Sequence, residues 1–351
     1  MQKFLTGVAV LTLAACSTTS AVVTPIAQLK ASSDVTVSSL LALNAICGAE
    51  ASKGGTANLK LTAGMGTGGF KVDTTSKEAQ DWFNYSMALS HAFYHEDAKA
   101  AMRKALELDP GCSMCAWGLA WVLGPTLNYG ITDTERRYAL AAAENAKSLL
   151  KAGDERGRRL VEAMIARYAP TNVPSEQSGE RTATGHSVTE PAFGQALAAI
   201  AADYPDEVEL AVLAAHSLLI PVRGGNASGL KPALAILEQV LKDRPNDTGA
   251  IHYYIHATEF DKRAEDAVSY ADRLGGLAPA ASHLVHMPAH TFFHAGRYHD
   301  AAVVNAEAIG ADLKCRKPAV TSKRPSCPCT TLTTWRLDWR ALSCLAMRSC
   351  H

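Results

Sequence analysis

A stride of 34 residues constrains this chain more than any other feature. Ala233, Leu237 and Val240 stand 12, 8 and 5 positions before Pro245. Ala267, Ala271 and Leu274 keep those distances before Pro279, and Ala301, Asn305 and Ala308 keep them before Leu313. Ala98, Met102 and Ala105 repeat the spacing before Pro110, which lies 135 residues ahead of Pro245, one short of four strides. Small and apolar residues at helical spacing mark the inner face of an amphipathic helix, and proline closes it. A stride of this length implies helix pairs that cannot bury their apolar faces alone and so stack into one continuous core. The expectation is an all-α fold of about six antiparallel helix pairs across 77–313. The first pair is Ala79–Ala92 and Ala98–Leu108, joined by a turn at Tyr94–Asp97. Less regular helices follow, with a loop insertion over 169–186 that carries Pro170, Pro174 and Gly179.

Composition agrees and excludes other classes. Hydrophobic residues make up 48% against 19% charged, which suits a folded body rather than disorder. Lys+Arg and Asp+Glu balance at 34 each, so no field favours nucleic acid. No apolar run reaches the roughly 18 residues a spanning helix needs. The longest, Phe4–Ala15 after Lys3, reads as a secretory signal over 1–16. It ends in Leu13-Ala14-Ala15-Cys16, which resembles a bacterial lipobox with Cys16 as the acylated residue. That resemblance implies an envelope protein held to the membrane by its lipid anchor alone, and Ser17 after the cysteine points to the outer membrane, facing the periplasm. Residues 17–76, rich in Ser, Thr, Ala and Gly, read as a flexible tether with a small ordered segment. The run Gly64–Gly69 is not a phosphate loop, because no Lys-Ser or Lys-Thr pair follows it.

The stride, the small residues and the closing prolines resemble the tetratricopeptide repeat (TPR), in which Trp82 falls at a favoured position. The resemblance implies a TPR-like right-handed solenoid. Over about residues 70–312 the chain is similar to bacterial tetratricopeptide lipoproteins. The stretches that carry this are Phe70-Lys71-Val72, Asp109–Gly118, Gly124–Asn128, His252-Tyr253-Tyr254-Ile255-His256 and His286-Met287-Pro288-Ala289-His290. The fold analogy implies a scaffold whose concave groove takes a protein or peptide partner.

The last two units place histidines in register. His252 and His286 are 34 apart, as are His256 and His290, at the fifth and ninth positions of the first helix in each unit. Residues four apart share a helix face, and packed helices lie about 8–10 Å apart. Four imidazoles and the carboxylate of Glu259, three residues beyond His256, are therefore expected to converge on a transition metal such as Zn, Cu or Fe. His294 continues the stripe on the second helix, with His283 close to it. The competing reading is a hydrogen-bonded polar wall of the groove, and Pro288 inside the second pair disturbs the geometry.

Other motifs carry less. Cys112 and Cys115 form Cys-x-x-Cys at a helix start, and Ala116 after them excludes covalent haem attachment. They are read as a structural pair or buried thiols. His91, His95 and Glu96 flank the first turn and read as turn-capping residues. No Gly-x-Ser-x-Gly, His-Glu-x-x-His or P-loop supports a hydrolase, metalloprotease or nucleotide enzyme. Residues 314–351 break the pattern, holding five of the nine cysteines in the last 37 residues. This tail reads as a frameshifted sequence, or else as a genuine Cys-rich extension.

Overall fold

The computed structural model describes residues 59–169, 189–223 and 225–316. The signal, Cys16, most of the tether, the 169–186 insertion beyond Ala169 and the tail beyond Arg316 lie outside these residues. The described residues are all helical, with no strand among them, as the pattern predicts. None of their helices is long and apolar enough to cross a membrane.

The helices are α1 (Lys77–His91), α2 (His95–Leu108), α3 (Ser113–Val122), α4 (Asp133–Ser148), α5 (Glu155–Tyr168), α6 (Glu190–Asp203) and α7 (Val208–Arg223). They continue as α8 (Leu230–Asp243), α9 (Thr248–Phe260), α10 (Val268–Leu277), α11 (Ser282–His286), α12 (Pro288–His294) and α13 (Tyr298–Arg316). Each packs on the next along the chain, and α1 also meets α3, α3 meets α5, α7 meets α9 and α9 meets α12. Buried side chains form one apolar cluster from Met65 to Ala301.

The turns show how the repeat is written locally. After α1, Phe93 sits at φ 58°; after α9, Lys262 at φ 59°; after α12, Gly296 at φ 75°. In each turn the following amide reaches back to a carbonyl five residues earlier: Tyr94 to Leu89, Arg263 to Thr258 and Arg297 to Phe292, at 2.7–2.9 Å. This is the Schellman closure, which satisfies the helix's last carbonyls and reverses the chain. Only Gly takes this conformation without steric cost, so Phe93 holds a strained position.

The segment before α1, at the end of the stretch expected as a tether with a small ordered segment, packs against the helices. Met65, Phe70 and Val72 are buried, and Gly68 lies so close to α1 that an added Cβ would sit 2.5 Å from the Ala88 nitrogen. Thr67 exchanges hydrogen bonds with Thr248, its hydroxyl accepting from the Thr248 amide at 3.1 Å. Glycine serves close backbone approach here rather than slack, a distinction composition does not carry.

Two polar devices hold the middle of the array. Cys112 and Cys115 form a disulfide in the first turn of α3. Arg167 of α5 makes a bidentate pair with Glu190 of α6 at 2.8 Å, both side chains about 1% exposed. The guanidinium also lies 4.4 Å over the Phe193 ring.

Removing one partner of a buried pair leaves the other charge uncompensated. Glu190→Ala is therefore expected to cost about 3–5 kcal/mol in chemical denaturation; a loss below about 1 kcal/mol, typical of an exposed pair, would contradict this account. Gly68→Ala is expected to lower stability by about 1–3 kcal/mol through overpacking, whereas a flexible linker would tolerate it. The shift in denaturant midpoint distinguishes the two.

Candidate metal centre

The closing of the array creates the site. The C-terminal end of α1 packs against α9, and His91 bridges to two other helices there. Its Nδ1 lies 2.9 Å from the Tyr253 hydroxyl and its Nε2 2.8 Å from Glu209 of α7. Gly249 leaves room for it, since a Cβ there would stand 3.0 Å from the His91 ring. Tyr94 binds both the backbone amide and the hydroxyl of Ser282 at 2.9 Å, satisfying a first-turn donor of α11. Thr67 does the same for α9, so Thr248 and Ser282, one stride apart, are tied down alike.

Beneath this closure lie five imidazoles. Centroid distances run 5.1 Å from His252 to His256, 5.4 Å to His290, 5.0 Å to His286, 6.1 Å to His283 and 4.9 Å back to His252. The rings thus form a closed circuit. His252, His256, His283 and His286 are buried, while His290 is 28% exposed. α1 and Phe93 cover the buried rings, with Phe93 4.6 Å from His252 and 4.9 Å from His283.

Each ring is oriented by what its outer nitrogen meets. His252 donates from Nδ1 to the His91 carbonyl at 2.6 Å, which leaves its Nε2 as an acceptor facing His283. His286 donates from Nδ1 to the Asn305 Oδ1 at 2.5 Å. His290 donates from Nδ1 to Glu259 at 3.1 Å. The His256 Nδ1 faces the same carboxylate at 3.7 Å, and its buried Nε2 has no hydrogen-bond partner among the described residues. The inward nitrogens meet in pairs, His252 with His283 at 3.1 Å and His286 with His290 at 3.2 Å. Carbonyl or carboxylate behind Nδ1 and a free Nε2 in front is the usual outer-shell support of metal-ligating histidine. Two nitrogens at such spacing, each about 2.0–2.1 Å from a shared zinc ion, subtend roughly 100° there, close to tetrahedral.

His252, His256 and His283 form the tightest set, their available nitrogens all within 4.8 Å of one another. His283, expected only as a neighbour of His294, belongs to this set. Glu259 stands one step back from the role the sequence suggested, against the Nδ1 edges rather than among the inward nitrogens. His294 ends α12, the same helix as His290, rather than starting a second one, and meets Glu259 at 3.4 Å. Pro288 splits the helix into α11 and α12 without dispersing the rings.

His95 stacks between Phe93 and Tyr129 at the start of α2, and Glu96 pairs with Lys99. His216 is buried and stacked on Tyr253 at 4.6 Å, with neither ring nitrogen hydrogen-bonded among the described residues. Asn305 had a signal: it stands where the other units carry Met102, Leu237 and Ala271, a polar residue in an apolar register.

Burial favours the neutral form of the four buried rings. Burial pushes His252 and His283 well below the ordinary imidazole value, with neighbouring imidazoles adding to the effect. Burial likewise lowers His286 to about 3 and His256 less far. For Glu259 burial acts upward, but hydrogen bonds from His256 and His290 prevail and hold it well below the carboxylate range. At His91 burial acts downward, and the Glu209 carboxylate outweighs it, so its pKa is raised. Glu209 and Asp247 also line a separate open hollow of about 700 Å³ beside the 67–71 segment, away from the paired nitrogens. No protein-family model and no curated protein matches the chain.

A buried imidazole with a lowered pKa is neutral in the fold and takes up a proton on unfolding. Its contribution is complete above about pH 6.5 and is lost as pH falls below that value. His216, His252, His256, His283 and His286 act in this sense. His91 opposes them, because its raised pKa favours the fold at low pH. The metal-free protein is thus expected to lose stability between pH 7 and 5.5 by more than the roughly 1.4 kcal/mol per pH unit of a single group. Denaturant titrations across that range measure the slope, and a flat profile would show the rings protonated or exposed.

Proposed function

We propose that this chain is a TPR-like helical solenoid, tethered at the bacterial envelope through Cys16, that binds a transition-metal ion at His252, His256 and His283. The 34-residue stride, the alternate-helix packing and the recurring Schellman turns support the repeat reading. The lipobox resemblance supports the address. The observation that carries the metal is the convergence of three buried imidazoles: the available nitrogens of His252, His256 and His283 lie within 4.8 Å of one another, with the His252 Nδ1 tied from behind to the His91 carbonyl.

A groove for a peptide partner draws on fold analogy alone, and the histidines assigned to its wall are buried. The donor set selects among metals. Neutral imidazoles suit Zn and Cu, whereas non-haem Fe sites usually recruit a carboxylate, and Glu259 is turned to the Nδ1 edges instead. Covered by Phe93 on one side, the triad offers three nitrogens and the shielded surroundings of a tight site.

The protein purified without a polyhistidine tag is expected to carry Zn or Cu measurable by elemental analysis. Adding metal should raise its stability, by about 2.7 kcal/mol at one hundred times Kd. Joint replacement of His252 and His256 by Ala should abolish that gain. A folded wild-type chain that neither retains nor takes up Zn2+, Cu+ or Cu2+ refutes the reading.

A further inference from the structure

We infer that the open hollow beside the 67–71 segment is a second binding site, which takes a small organic cation: an ammonium or guanidinium on a short aliphatic stem. This site is separate from the metal centre and does not depend on it.

The hollow lies where three connections meet. The 67–71 segment forms one side, the turn into α7 at 206–209 the second, and the turn into α9 at 243–247 the third. Its volume of about 700 Å³ falls within the roughly 300–1,000 Å³ of small-molecule sites. Glu209, in its wall, is only 7% exposed. One oxygen of this carboxylate takes the His91 Nε2 at 2.8 Å, and the other receives no hydrogen bond among the described residues. A largely buried carboxylate oxygen without a donor is costly, and a ligand in the hollow is placed to supply one. Asp247 stands in the same wall, capping α9 through the Ala250 amide at 2.8 Å. Burial, and then the charge of Glu209, push the Asp247 carboxyl up, as happens when like charges share a poorly solvated place. His91 makes the only ion pair with either carboxylate among the described residues, so negative charge is left over at the wall.

The form of the ligand follows from what surrounds these charges. Among the described residues only His252, His256 and His283 bring three ligating atoms within 4.8 Å of one another. The carboxylates of the hollow are thus too dispersed to cage a bare metal ion. Phe70, Val208 and Pro245 also line it, and an alkyl stem gains burial against them. The remaining charges balance: Lys71 and Arg244 stand against Asp206 and Asp243, while Glu207 is held by Arg156. Glu209 and Asp247 therefore set the sign, and the donor they lack is the N–H of a cation.

The probes are n-butylammonium and n-butylguanidinium, titrated into the full metal-free chain and followed by saturation-transfer NMR and calorimetry. Both are expected to bind, with butan-1-ol and butyrate weaker by about tenfold or more, the worth of a hydrogen bond to a charged group. Asp247→Asn removes a charge while keeping an N-cap of equal rank, so it should spare the fold and weaken both cations about tenfold. Glu209→Gln should weaken them likewise, with circular dichroism checking that the helices survive loss of the His91 pair. A folded wild-type chain that binds neither cation overturns the inference. So does equal binding of butan-1-ol, tighter binding of butyrate or Ca2+, or cation binding that Asp247→Asn leaves unchanged. Because Zn or Cu content is measured apart from all of these, the two sites stand or fall separately.

Discussion

The structure depends on one contact, the docking of the end of α1 onto α9. A stack of helix pairs has no intrinsic reason to cover its inner face, because each unit needs only its neighbours. Here the turn at Phe93 swings His91 between Glu209 and Tyr253, and the His91 carbonyl takes the proton of His252. A residue near the start of the array thereby orients a ring near its end. The 59–76 segment reinforces the closure through Thr67 and Thr248. Without it, the histidines of α9 and α11 would face water, where a neutral imidazole has no special cost and no fixed tautomer.

Closure converts a stripe of polar side chains into a buried network, and low polarity raises the stakes of every unmet atom. The network answers with a specific division of labour. Each outer nitrogen that donates finds a carbonyl or carboxylate, which is what a buried N–H requires. Of the inner nitrogens, the His256 Nε2 is left without a hydrogen-bond partner among the described residues. Glu259 serves His256, His290 and His294 at once, so one carboxylate meets three of the rings. Such an arrangement favours cationic occupancy at the centre over protonation of the rings themselves.

Much of this was legible in the residues. Helix content and the register that brings His252, His256, His286 and His290 together followed from spacing, because stride and helical period are geometric. The closure did not follow. Contacts between residues 91 and 253 or 67 and 248 span distances that no local pattern encodes, and so the rings were read as a groove wall. Glycine misled for a related reason: Gly68 looks like slack in a composition count, yet its missing Cβ is what admits the α1 backbone. His283 escaped because the matching position one stride earlier is Gly249, which makes room for His91 instead. Asn305 was visible as a polar residue in an apolar register, but its meaning required the ring of His286 behind it.

The cluster also argues against a purely structural seam. A core of this kind packs well with apolar side chains, as the buried Leu218 shows one stride before His252. Replacing imidazoles by apolar side chains of similar volume would remove both the desolvation cost and the unpaired acceptors, and buried polar groups are commonly neutral or unfavourable against such replacements. Buried rings that bring their available nitrogens together, with the His256 Nε2 unpartnered among the described residues, are therefore a burden to the empty fold. The convergence of the His252, His256 and His283 nitrogens within 4.8 Å is a spacing that a cation would stabilise and an apolar seam would not need.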